Sequence, residues 1–185
     1  MTPVQARQIA HKLLANALPQ RWLHVQAVAA TAERIGQCLF TEPDMQTLVA
    51  AAWLHDIGYA APIVETGFHP VDGAQWLRRN GVSARLCALV AHHSCAEIEA
   101  EVRGLAASLV PFNNEISLVA DALAFADMTA GPAGQPFEVR ERIWEIKVRY
   151  GEGHPVISFI TRAESALLEQ AERIQIALLS VGKPL

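Results

Sequence analysis

Apolar positions along this chain recur at three- and four-residue spacing, and no stretch alternates strictly enough to suggest a strand. The pattern predicts an all-α protein built as a single helical bundle. Thr2, Pro3 and Gln5 form a capping-box signature that opens a first helix, which should end before Pro19. His24, Val28, Thr31, Ile35 and Leu39 share one face of a second helix over about Arg21 to Phe40. A third, over about Asp44 to Ile57, places Met45, Val49, Ala52 and Asp56 on one stripe with Leu48 and His55 beside it, and stops at Gly58. Pro70 begins a short helix closed by Asn80-Gly81, and Ser83 caps another that ends near His92-His93. After a polar stretch, Asn114 is expected to cap a helix carrying Ile116, Ala120, Leu123 and Asp127 inward before Gly131, with Asp121 on the opposite side. Two more helices are expected over about Pro136 to Tyr150 and Pro155 to Leu179.

Length and composition fit one domain: 185 residues with 51% hydrophobic side chains can bury a substantial core. A formal net charge of -4 without a dense Lys/Arg run argues against nucleic acid as a partner. Cys38, Cys87 and Cys95 form no Cys-x-x-Cys pair and read as reduced thiols, Cys87 and Cys95 as small core residues. The first residues lack the layout of a signal peptide, and no apolar run approaches the roughly 20 residues that span a bilayer. A cytoplasmic location without membrane contact is the expectation that follows.

The inward faces carry unusual cargo. His24, His55 with Asp56, and Asp127 come from three separate helices, and an ionised carboxylate in a core is costly unless a cation or donor compensates it. One divalent metal would neutralise both carboxylates and take the imidazoles as neutral ligands. His55 and Asp56 diverge by about 100° on a helix, so the aspartate could also reach a second ion. Asp121 is the rival to Asp127, and helical phase favours Asp127.

The string Ala52-Trp53-Leu54-His55-Asp56-Ile57-Gly58, with His24 upstream and Ala126-Asp127 downstream, resembles the HD-domain superfamily of metal-dependent phosphohydrolases. His69-Pro70-Val71-Asp72-Gly73-Ala74 and Ala91-His92-His93 extend the resemblance, which covers about residues 21–130 and leaves a C-terminal helical extension over 136–180. It implies a first metal at His24, His55, Asp56 and Asp127, and a second, in members that have one, at His69 and His92. His93, by adjacency, is a candidate second-shell or general-acid residue. Where many members carry a lysine after the glycine this chain has Tyr59, so a phosphate-side cation is missing from that position. Arg78, Arg79, Arg85, Arg140, Lys147 and Arg149 read as solvated helix-face charges, and His11 and His154 as solvent-facing.

The function implied is hydrolysis of a small phosphorylated metabolite or nucleotide by water activated on one or two divalent ions per chain, drawn from Mn, Fe, Co, Ni, Mg and Zn. Two alternatives stand beside it: a diiron oxygenase of the same superfamily, and a ligand-binding or regulatory protein that the metal stabilises. Substrate identity, native metal and oligomeric state are left open by the sequence.

Overall fold

The computed structural model describes residues 1–183, in which α-helices and short 3-10 turns are joined by loops and a single isolated β-bridge pairs Ala130 with Pro136. The nine α-helices among the described residues are α1 (Pro3–Leu14), α2 (Pro19–Leu39), α3 (Glu42–Leu54), α4 (His69–Arg79), α5 (Ala84–His92), α6 (Ala96–Val102), α7 (Leu118–Met128), α8 (Val139–Tyr150) and α9 (Pro155–Ser180). The fold is all-α, as the periodicity predicts. None of these helices is long and apolar enough to cross a membrane.

Helix starts follow local chemistry. The Thr2/Gln5 capping box forms as expected, Pro19 and Pro155 lie in the first turns of α2 and α9, and Glu138 with Glu141 forms a second box at α8. Several boundaries differ from expectation. The helix expected to begin at Asn114 begins after Ser117, whose hydroxyl accepts from the Ala120 amide, and Ile116 is 98% exposed rather than inward. The polar stretch before this helix, to which the sequence reading assigns no element, contains α6 and a 3-10 turn over Ala106–Leu109. α3 closes at Leu54, so His55 and Asp56 occupy a turn leading into the 3-10 segment Ile57–Tyr59.

One buried apolar cluster runs from Ala6 in α1 to Leu178 in α9. α2 and α3 pack on each other, α1 covers α3, and α7 lies against α2, α3 and α9. Putting α7 at that junction brings three inward polar faces to one place. Two glycines set the approach of α4. A Cβ on Gly58 would overlap the His69 carbonyl and come within 2.8 Å of Gly73 N, and a Cβ on Gly73 would stand 3.3 Å from Gly58 N. Without side chains there, the first turn of α4 lies directly on the turn that follows Asp56.

Candidate metal centre

Three helices and two turns supply the polar cluster. His24 comes from α2, His55 and Asp56 from the turn closing α3, Asp127 from α7, His69 from the start of α4, and His93 from the turn after α5. Ring nitrogens of His24 and His55 and an oxygen of Asp127 lie within 4.8 Å of one another, and so do atoms of Asp56, His69 and His93. His24 Nε2 is 3.1 Å from Asp127 Oδ1 and 3.3 Å from His55 Nε2. Asp56 stands between the two groups. Its Oδ2 is 3.5 Å from His24 Nε2 and 3.3 Å from His55 Nε2, while its Oδ1 is 3.3 Å from His69 Nε2.

Backbone carbonyls fix the tautomers. His24 Nδ1 donates to Gly131 O at 3.0 Å, His55 Nδ1 to Ala52 O at 2.8 Å and His93 Nδ1 to Val90 O at 2.7 Å. A carbonyl only accepts, so each Nδ1 carries the proton and each neutral ring presents a bare Nε2 inward. Two bare nitrogens 3.3 Å apart repel unless positive charge lies between them. The cluster attracts such charge strongly. Burial opposes a proton on His55, yet Asp56 and then Asp127 outweigh it and carry its pKa up to about 9. Burial also opposes ionisation of Asp56, but Arg21 first and His55 next hold it well below the carboxylate range. For Asp127 burial is outweighed by the facing His24 ring, 3.1 Å away, and by the charge of His55, which hold its carboxyl below the ordinary carboxylate value. Burial leaves His69 and His93 less basic than free histidine. Buried carboxylates facing imidazoles whose protons a metal can displace are a donor set that fits a divalent cation, so these residues could hold one.

The expected residues mostly converge. His24, His55, Asp56, Asp127 and His69 meet at one centre. His92 does not: its Nε2 donates to Phe112 O at 3.0 Å, and His93 stands 3.2 Å from His69 Nε2 in its place. The reason is backbone geometry. Past His92 the chain leaves helical dihedrals, with Ser94 and Cys95 both left-handed at φ 50 and 60. The resemblance implied His92 as the ligand, and the turn after α5 brings His93 to the centre instead. Asp121 is buried on the opposite side of α7, held by two hydrogen bonds from Arg173 at 2.7 and 2.9 Å. Asp72 is buried too, accepting from the amides of Thr66 and Gly67 and the Thr66 hydroxyl, which anchors the loop before α4. Cys87 and Cys95 are buried, His11 is exposed beside Trp22, and exposed His154 caps α9.

Three residues at the centre were not anticipated. Arg21 donates to Asp56 Oδ2 at 2.8 Å and lies 4.2 Å over the Tyr59 ring, which stacks at 4.1 Å on His69. It precedes His24 by three residues on the same helical face, a signal present in the sequence. Ser94 donates to Asp127 Oδ2 at 2.6 Å, leaving Oδ1 toward His24. Gly131 lies in a loop expected to fall outside the common core, yet its carbonyl orients His24. That loop seats on α2 through Gly134, which has φ 81 and where a Cβ would lie 2.8 Å from Leu23 O.

A cleft of about 220 Å³ opens onto the centre, walled on one side by Arg21, Tyr59 and His69 and on the other by residues of α8 and α9. A larger hollow of about 450 Å³ near Phe125 and Leu178 contains no histidine or aspartate. The family model described as HD domain matches residues 21–130. The match spans more than half of the 185 residues and contains His24, His55, Asp56, His69, His93 and Asp127. The chain belongs to the HD-domain family, most of whose members are metal-dependent phosphohydrolases. No curated protein and no solved structure matches it.

Proposed function

We propose that this HD-domain protein is a metal-dependent phosphohydrolase acting on a small phosphorylated metabolite or nucleotide. The observation that carries the reading is the division of Asp56, whose two oxygens face two separate groups of imidazole nitrogens. Asp56 would then bridge two ions, with His24, His55 and Asp127 holding the first and His69 and His93 the second. Divalent ions such as Mn, Fe, Co, Ni, Mg or Zn supply, when bound, a Lewis acid that acidifies water and offsets phosphate charge.

The protein's own groups prepare that chemistry. Carbonyls of Gly131, Ala52 and Val90 keep the Nε2 lone pairs of His24, His55 and His93 directed inward, so no ring must reorient to bind. Ser94 turns Asp127, and Arg21 with Tyr59 braces Asp56 and His69. His93 is read as a ligand, because its Nδ1 donates to Val90 O and its Nε2 faces His69 Nε2 at 3.2 Å in the group shared with Asp56. The cleft of about 220 Å³ has room for the phosphoryl end of a small substrate.

The test is metal analysis of protein purified without added metal, followed by phosphate release from a panel of phosphomonoesters. Metal-replete protein that releases no phosphate from any of them overturns the reading. Four imidazoles around two positions also suit iron, which favours the diiron oxygenase as second reading. Oxygen uptake by the iron-loaded protein separates the two.

A further inference from the structure

Four guanidinium groups line the cleft: Arg21, Arg103, Arg142 and Arg149. Two are matched. Arg21 is taken by Asp56, and Arg103 lies 2.6 Å from Glu99 Oε1. Arg142 and Arg149, both on α8, share one carboxylate, since Glu145 pairs with Arg142 and its Oε1 stands 3.5 Å from Arg149 Nε. α8 thus presents two guanidinium groups to the cleft with one carboxylate between them.

Arg142 is the more constrained of the pair. It lies on the face of α8 that carries Val139, Ile143 and Ile146, all buried, and is itself only 6% exposed. A guanidinium at such a position is costly unless every donor is met. Its Nε is buried and has no acceptor among the described residues. Burial lowers its pKa and the charge of Asp127 acts in the opposite sense, which marks Arg142 as a neighbour of the metal centre. A buried cation with a spare donor, lining the same cleft as Asp127 and His93, is poised for an anion that enters from outside.

We propose that Arg142, with Arg149 beside it, forms the phosphate-binding subsite of this cleft, donating to non-bridging oxygens of a phosphate monoester whose phosphoryl group lies between α8 and the metal centre. The guanidinium fork suits two oxygens of one phosphate better than an ammonium would. The subsite lies in α8, outside the matched residues 21–130, and supplies the cation that Tyr59 does not provide at the HD turn. Naming the anion as phosphate rests on the phosphohydrolase reading; the buried, unpartnered Nε of Arg142 does not.

The test is calorimetric titration of inorganic phosphate into the full chain, comparing the parent with Arg142→Met, Glu145→Gln and Arg85→Ala. Arg142→Met should weaken phosphate at least about tenfold, the lower end for a lost charge-assisted hydrogen bond. Glu145→Gln frees both arginines of their shared carboxylate and should tighten binding. Arg85→Ala, whose partners Glu115 and Asp44 lie outside the cleft, should change nothing. Equal affinity in the parent and Arg142→Met, or no binding by the parent, overturns the subsite. If Arg142→Met does not fold, Glu145→Gln decides: tighter binding supports the proposal, and unchanged or weaker binding overturns it. Failure of the phosphohydrolase reading looks different, because phosphate then binds through Arg142 while the metal-loaded protein turns over no ester.

Discussion

Arg21 Nη1 and Asp56 Oδ2 meet at 2.8 Å, on the same carboxylate oxygen that faces His24 and His55. The arginine thus supplies positive charge to the buried centre from the cleft side, where a metal would supply it from within. Arg21→Ala should lower the stability of metal-free protein by about 1–3 kcal/mol, the cost of leaving a buried acceptor short of its partner. Added Mn²⁺ should recover most of that loss. Thermal melts with and without the ion are the check, and an equal loss in both conditions would show that the pair matters for packing alone.

The exchange of His92 for His93 has a direct readout. His69→Ala with His93→Ala should reduce bound metal from two ions per chain to one with the helical content kept, whereas His92→Ala should leave the count unchanged and cost about 0.5–1.5 kcal/mol for its hydrogen bond to Phe112 O. Elemental analysis of the two variants settles it. Metal loss in His92→Ala alone would contradict the placement of these rings.

Gly58 lets the start of α4 touch the HD turn through backbone alone. Gly58→Ala sets a methyl against the His69 carbonyl and Gly73 N, neither of which can rotate away. Moving α4 aside should cost about 1–3 kcal/mol or more and draw His69 from Asp56. The expected variant melts lower and keeps only the ion at His24, His55 and Asp127. Parental stability with two ions would refute the close-approach argument.

Acid stability should carry a small contribution from Arg85, which bonds Glu115 at 2.7 and 2.8 Å and ties α5 to the segment before α7. The hydrogen bond to Arg85 holds the Glu115 carboxyl below its ordinary value of 4.5. A depressed folded pKa means the stabilisation is complete above about pH 4.5 and fades as pH falls through the lower folded value. Because Arg85 is partly exposed, the effect should stay under about 1 kcal/mol. Denaturant melts of Arg85→Ala and parent should therefore differ at pH 7 and converge in acid; a gap that widens as pH falls would reverse the assigned sign.

Helical phase is local, and what depends on it was legible in the chain. Each turn repeats over 3.6 residues, so an inward His24, and an Asp127 opposite Asp121, follow from spacing alone. The His55-Asp56-Ile57-Gly58 string pointed to the family, and the cost of burying two carboxylates pointed to a cation, although the helix expected to reach Ile57 closes at Leu54. Only the tertiary structure decided what lies beyond the ends of helices. His93 replaces His92 because two left-handed residues redirect the chain after α5, and nothing in Ser94 or Cys95 announces that conformation. His24 takes its orientation from a carbonyl 107 residues away, a contact set by how the 131–136 loop seats on α2. Arg142 could have been noticed on the apolar face of α8, but the burial of its Nε without an acceptor is a property of packing. Periodicity says which way a side chain leaves its own helix, whereas the neighbours it then meets are fixed by the approach of segments distant in sequence.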